Sequence, residues 1–124
     1  MATQDVSLWD ETNTNSVSVT TDSKLKTQNT YLGYESLLSS NISIGLSATE
    51  VKVGGSRLTG RRNVTIYNNT ATNAVIYIGY SNAVTSANGI PLYKNQMISI
   101  DIGDVAIWSI STVAATDVRI MEMA

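Results

Sequence analysis

The chain has 124 residues, of which 43% are hydrophobic, and it carries a formal net charge of −2. This length predicts one domain with one hydrophobic core. The composition excludes intrinsic disorder, which requires low hydrophobicity and high charge. Because there is no basic excess to neutralise phosphates, we expect no nucleic-acid partner.

Cysteine and histidine are both absent from the sequence. Their absence excludes disulfides and cysteine-ligated metals, and it removes the commonest general base and the commonest metal ligand. Asp101 and Asp104 flank a turn, but two carboxylates without further oxygen ligands are weak grounds for a Ca²⁺ site. We therefore expect a protein that is not an enzyme and that has no cofactor and no metal site.

No apolar run approaches the ~20 residues that cross a bilayer, so we expect no membrane partner. The first residues, MATQDVSLWDE, lack the cationic start and the apolar core of a secretory signal. Ser, Thr and Asn together make up about a third of the chain, and the balance of Val, Ile, Thr and Tyr over Glu and Lys favours strands.

The first part of the chain, residues 1–54, is polar and weakly patterned. Trp9 is a candidate partner contact: it either tucks against its own domain or anchors on a neighbouring subunit. Residues 16–20, SVSVT, alternate and predict a short half-buried strand. Residues 46–53 predict a second strand, which Gly54 and Gly55 end.

Residues 34–44, YESLLSSNISI, leave three interpretations open. Leu37, Leu38 and Ile42 could form one face of a short helix, and the same segment could equally enter a strand near residue 36. A loop of this length without structure of its own is uncommon in a compact domain. The segment is therefore also a candidate for an arm that folds against a partner.

Strand patterns become regular after residue 54, at residues 63–68, 74–79, 97–102, 105–111 and 117–123. We expect the first two of these to pair as a hairpin, and residues 74–79, which are densely apolar, to be covered on both faces. In residues 97–102, Ile98, Ile100 and Ile102 are expected to face the core.

About seven to eight short antiparallel strands with frequent turns predict an all-β fold, a β-sandwich or jelly-roll-like domain with an extended N-terminal segment. The composition changes near residue 54. We assign residues 1–54 to an N-terminal arm with the first strands, a candidate segment for contact between subunits. Residues 55–124 are assigned to the sandwich core of what is one structural domain overall.

The stretch 80–93 contains the only proline of the chain. The pair Asn88 and Gly89 suits positions that need a positive φ, and Pro91 must lie at a sheet edge or in a loop because it cannot donate to a ladder. These three residues are candidates for a functional surface loop. Three apolar residues of the stretch are expected to cover one end of the sheet: Val84, Ile90 and Leu92.

Arg57, Arg61 and Arg62 form the one basic cluster of the sequence. One interpretation is that they guard a strand edge and pair with nearby carboxylates of the same chain. The functional interpretation is that they contact an acidic patch on a partner. All three arginines are candidate partner contacts.

Five segments of the second half resemble a β-domain of tailed-bacteriophage virion proteins, as in head decoration (cement) proteins and head fibres. They are L-x-G-R-R-x-V-T-I-x-N at 58–68, V-I-Y-I-G at 75–79, S-A-N-G-I-P-L at 86–92, I-S-I-D-I-G at 98–103 and D-V-R-I-M-E at 117–122. They cover about half of the chain, in the expected order. The turn before I-S-I-D-I usually carries Pro-Gly, and here it is Lys-Asn-Gln. Residues 1–54 match nothing in this family; the resemblance implies that they are the capsid-docking or intersubunit segment.

This resemblance implies a non-enzymatic structural protein of a bacteriophage, usually a homotrimer. The expected function is that of a capsid decoration or cement protein, which binds the major capsid protein and stabilises the shell. The expected location is the outer surface of the capsid in the virion, after synthesis in the host cytoplasm. The alternative is a carbohydrate- or host-surface-binding module of a head fibre, tail or baseplate, using Tyr and Trp side chains and the 80–93 stretch.

Overall fold

The computed structural model describes residues 33–124, and every regular element in this range is a strand. Two four-stranded antiparallel sheets form, with the strand orders β1-β8-β3-β6 and β2-β7-β4-β5. The all-β prediction is therefore confirmed. The strands are β1 Leu37–Ile44, β2 Thr49–Glu50, β3 Asn63–Asn68, β4 Ile76–Gly79, β5 Ile90–Leu92, β6 Met97–Asp101, β7 Trp108–Ser111 and β8 Thr116–Met123.

The strands pair in a nested order, first with last and then inward: β1 with β8, β2 with β7, β3 with β6, and β4 with β5. The additional pairs β3–β8 and β4–β7 complete the two sheets. Eight strands in two sheets with this nesting form a jelly roll. The jelly-roll-like prediction is thus confirmed, and every pairing is antiparallel.

The core lies between the sheets and is almost entirely aliphatic. It forms because each strand alternates, so that every second side chain points to the same face. Both sheets contribute, and Ile98, Ile100 and Ile102 pack against the core as predicted. The buried members are Ile44, Val51, Val64, Ile66, Ile76, Ile78, Leu92, Ile107, Val118 and Ile120.

The predicted hairpin between residues 63–68 and 74–79 is wrong, because β3 and β4 lie in different sheets. Asn68 marks the crossing. Its fully buried side chain donates to the carbonyl oxygens of Ala74 (3.0 Å) and Leu92 (2.9 Å) and accepts from the amide of Thr70 (3.1 Å). These bonds satisfy the backbone where the chain leaves one sheet and enters the other.

The prediction that residues 74–79 are covered on both faces is also wrong. Ile76 and Ile78 of β4 are buried, whereas the residues that alternate with them, Val75 and Tyr77, are only half-buried. A jelly-roll sheet has one face on the core and one face toward solvent, so even its central strands alternate. The apolar run therefore reflects one core face and one moderately apolar outer face.

The weakly patterned segment 34–44 forms a strand, β1, paired with β8 from Leu37↔Met123 to Ile44↔Thr116. In the next segment only Thr49–Glu50 is strand, and Leu46 is exposed while Val51 is fully buried. The predicted boundary at residue 54 falls within the sandwich, because β1 and β2 precede it. Trp9 and the predicted strand at 16–20 lie outside the described residues. Within residues 33–124 no helix is long and apolar enough to cross a membrane.

The 80–93 stretch is a tight loop followed by β5, which is an edge strand, so Pro91 lies at a sheet edge as predicted. Neither Asn88 nor Gly89 has a positive φ; among described residues other than glycine only Asn95 and Ala115 do. Gly89 is required for space, because a Cβ there would lie 2.7 Å from the Cβ of Tyr77.

Substituting Gly89→Ala should destabilise the protein by roughly 1–3 kcal/mol, because the added methyl group overpacks the contact with β4. The matched control is Gly55→Ala, where a Cβ would meet no atom within 4 Å. We expect the control to match the wild type or to gain up to about 1 kcal/mol. Urea unfolding followed by circular dichroism measures both, and equal stabilities would contradict the packing argument.

Candidate functional site

The basic cluster of the sequence divides into three separate environments. Arg61 is 2% exposed, and its guanidinium lies 3.5 Å from the carboxylate of Glu122, which is fully buried in β8. Arg61 also donates to the carbonyl oxygens of Gly103 (3.1 Å) and Val105 (2.6 Å). Arg61 thus contacts its own chain, in the salt-bridge role, and offers no surface to a partner.

The Glu122 carboxylate has a second task besides the ion pair. It accepts hydrogen bonds from the backbone amides of Val53 and, at 2.7 Å, Leu58. These amides belong to the connection between β2 and β3, which passes over the end of β8. One carboxylate therefore holds this connection in place and compensates the buried charge of Arg61.

Arg57 lies between two carboxylates on the half-exposed rim of the same region. Its Nε donates to Asp104 (2.8 Å), and its Nη1 pairs with Glu50, which also binds Lys52 (3.1 Å). The hydrogen bond with Asp104 is the main cause that raises the pKa of Arg57, and the Arg57 guanidinium lowers the pKa of Asp104. The Asp104 side chain is 85% exposed, and its pair with Arg57 therefore stabilises little. The Arg57 side chain is 27% exposed, so part of it is accessible to a partner.

Arg62 lies beside Tyr34, with its guanidinium carbon 5.2 Å from the ring centroid. This is the geometry of a cation–π contact. It places the start of the described chain next to the start of β3. Arg57 and Arg62 are therefore the two members of the basic cluster that remain half-exposed.

A second charged group lies on the outer face of β8. One oxygen of Asp117 accepts hydrogen bonds from Asn69 (2.6 Å) and from Nε and Nη2 of Arg119 (3.2 and 3.1 Å). The hydrogen bond from Asn69, followed by that from Arg119, lowers the pKa of Asp117. Hydrogen bonds to the charged form of a carboxyl group favour ionisation, which is the cause of this shift.

The candidate surface loop is held by its own hydrogen bonds. Asn88 accepts from the amide of Thr85 (2.8 Å) and donates to the carbonyl oxygen of Ala83 (3.3 Å). Asn88 and Pro91 are exposed, and Gly89 is half-buried. The side chain of Asn88 therefore shapes the loop instead of reaching into solvent for a ligand.

A groove that sequence reasoning missed opens beside this loop, where β5 and β6 form the edges of their sheets. We call it the isoleucine groove; its volume is about 280 Å³. Tyr80 (87% exposed) and Ile90 (61% exposed) stand at its mouth. The groove is lined by Ile78, Gly79, Tyr80, Asn88, Ile90, Ile100, Ile102, Ala106 and Ile107.

Charged side chains in these regions form ion pairs within the chain, and the isoleucine groove is lined mainly by aliphatic side chains. Among residues 33–124, no group of three or more carboxylates is placed to hold a metal ion. The buried Arg61–Glu122 pair is closed off by backbone groups, so its atoms have no access to a substrate. The isoleucine groove is apolar and open, and exposed apolar surface of this kind is typical of sites where proteins contact one another.

Comparison with known proteins gives no relative: no family model, no curated protein and no solved structure matches the chain.

One feature of the site carried a signal in the sequence. Glu122 shares the alternation of Val118 and Ile120, which places it on the buried face, where a charged side chain requires a partner of opposite charge. The isoleucine groove carried no such signal, since Ile90 and Ile100 are far apart in the chain and lie on edge strands of different sheets. Of the predicted contacts, Trp9 lies outside the described residues.

Substituting Glu122→Gln should lower the free energy of unfolding by about 3–5 kcal/mol, because it leaves the Arg61 charge buried without compensation. The control is Glu35→Gln, which changes an exposed carboxylate and should stay within about 0.5 kcal/mol of the wild type. Urea unfolding monitored by tryptophan fluorescence measures both. A Glu122→Gln variant as stable as the control would show that the pair is not structurally important.

The stability should also depend on pH through Asp117. Because the pKa of this carboxyl is lower in the folded state than the ordinary ~3.9 of an unfolded chain, its contribution is present above that value. The contribution disappears as the pH falls through the lowered folded-state pKa. Asp117→Asn should therefore be less stable than the wild type at pH 6, and the difference should shrink as the pH falls below about 3.9.

Urea unfolding between pH 2 and pH 7 tests this expectation. The control Asn82→Ala changes an exposed neutral side chain and should give a curve parallel to that of the wild type. If the difference between Asp117→Asn and the wild type stays constant across this range, Asp117 does not act through ionisation.

Proposed function

We propose that the protein is a bacteriophage capsid decoration or cement protein, which binds the outside of the head as a homotrimer and stabilises the shell. Its partners are the major capsid protein and two further copies of itself. It acts in the virion, on the outer surface of the capsid, without enzymatic chemistry.

The positions of the resembling segments support this proposal. The five segments fall on β3, β4, β5, β6 and β8 with their adjoining loops, and so include strands of both sheets. Jelly rolls occur in viral capsid proteins and also in lectins and enzymes. A fold alone does not determine a function. The proposed function therefore rests on one particular surface of the protein.

The single observation that carries the proposal is the isoleucine groove. Tyr80 and Ile90 leave apolar side chains in water beside a groove whose walls are aliphatic. Apolar surface of this kind, rich in aromatic and branched side chains and free of Lys and Glu, is typical of the centre of an interface. We assign the groove to the contact with a neighbouring copy of the chain.

The proposed mechanism is mechanical. A trimer placed where capsomers meet buries surface on several capsid subunits at once, and separating them requires that these contacts be lost together. Several weak contacts acting together give avidity without one tight site. Arg57 and Arg62 are half-exposed at the rim of the sandwich, and we assign them contacts with acidic groups of the capsid.

The purified protein should be a trimer, with three times the 13.3 kDa mass of the chain, and should sediment with mature capsids of the phage that encodes it. Ile90→Lys should yield monomers, because it places a charge in the proposed interface while changing an exposed side chain. Val113→Lys, at an exposed apolar residue outside the groove, is the matched control and should remain trimeric. Light scattering and capsid sedimentation measure both properties.

Deleting residues 1–15 separates docking from assembly. If this segment is the docking arm, the truncated protein should fold and form trimers but fail to sediment with capsids. A strictly monomeric wild type without affinity for shells would overturn the proposed function, and full capsid binding after the deletion would overturn the role of the arm.

A further inference from the structure

The outer face of the sheet β1-β8-β3-β6 carries a groove of about 530 Å³. The strand register places one side chain from each strand in a row across it: Asn41, Arg119, Tyr67 and Met97. We call this the polar groove. It is on the solvent side of the sheet, since the alternate residues of all four strands face the core.

The neighbouring row repeats the pattern with Ser39, Met121, Thr65 and Ser99. Seven of these eight residues, all but Ser99, line the groove, and they supply one tyrosine, two thioethers, one amide, one guanidinium and two aliphatic hydroxyl groups. Lys and Glu, the usual residues of a solvated face, are missing from both rows. Apolar groups with a few converging polar groups are typical of a small-ligand site, and the volume lies in the usual range for one.

Two polar side chains of the groove, Tyr67 and Arg119, are held by hydrogen bonds before any ligand binds. The hydroxyl of Tyr67 donates to Asn95 (3.3 Å), and Arg119 is fixed by two hydrogen bonds to Asp117 (3.2 and 3.1 Å). Asp117 is in turn held by Asn69 (2.6 Å). Binding would therefore cost little side-chain entropy, which favours recognition of a small molecule.

Size and charge select the class of ligand. Three spacings of about 4.8 Å make each row about 14 Å long, and the rows lie about 7 Å apart. A surface of these dimensions can hold a molecule of a few rings. A stable protein interface is much larger and needs roughly 800 Å² from each partner. Asp117 compensates the charge of Arg119, so the groove does not select for an anion.

We propose that the polar groove binds a neutral oligosaccharide. A pyranose ring has apolar C–H faces and a rim of hydroxyl groups. The ring of Tyr67 and the thioethers of Met97 and Met121 suit the C–H faces, and Asn41 and Arg119 supply donors and acceptors for the hydroxyl groups. This site is distinct from the isoleucine groove, and its existence does not depend on the proposed capsid function.

The test is a printed array of neutral and sialylated oligosaccharides, probed with the full-length protein and followed by calorimetric titration of the strongest neutral hit. Tyr67→Ala should weaken that binding at least tenfold, and Asn41→Ala, a change at an exposed residue, should weaken it several-fold. Tyr93→Ala is the matched control, because Tyr93 is an exposed tyrosine that lines neither the polar groove nor the isoleucine groove, and it should bind as the wild type does. Circular dichroism checks that each variant is folded.

Three outcomes would overturn the proposal: no binding to any glycan, binding to sialylated glycans alone, or binding that Tyr93→Ala abolishes and Asn41→Ala leaves intact. If Tyr67→Ala and Asn41→Ala instead abolish capsid sedimentation without any glycan binding, the face is a protein interface and the proposal is wrong. Capsid sedimentation of the wild type is scored separately, so failure of the capsid function is distinguishable from failure of the sugar site.

Discussion

The buried ion pair between Arg61 and Glu122 is the interaction on which much of the fold depends. Charges taken out of water are expensive, and they are tolerated only when each is paired and hydrogen-bonded. Here the carboxylate also binds the amides of Val53 and Leu58, and the guanidinium binds the carbonyl oxygens that precede β7. One pair thus joins the β2–β3 connection, the β6–β7 connection and β8.

The three arginines of the basic cluster therefore have different environments. Arg61 is structural, whereas Arg57 and Arg62 remain at the surface beside it. The two proposed contact surfaces lie on different parts of the sandwich: the isoleucine groove at the edges β5 and β6, and the polar groove on the outer face of the sheet that contains β1 and β8. Because they share no lining residue, the same jelly roll can assemble through one and bind a ligand through the other.

Alternation explains both the successes and the errors of prediction. Ile98, Ile100 and Ile102 follow a period of two, and their packing against the core was predicted correctly from it. The same period is compatible with pairing inside one sheet or with packing across two, which is why the hairpin of β3 and β4 was predicted wrongly. The polar groove has no local signal at all, since its rows combine residues from four strands separated along the chain.

From the sequence alone, the all-β class, the aliphatic alternation of the core strands and the absence of histidine and cysteine chemistry were determined, because each depends on residue type or on spacing within one segment. Only the tertiary structure decided that β1 lies beside β8, that Arg61 meets Glu122 and that Asn41, Arg119, Tyr67 and Met97 share one row. These facts depend on which strands become neighbours. Strands become neighbours because all their apolar faces are buried together in one core. No single segment of the sequence determines this arrangement.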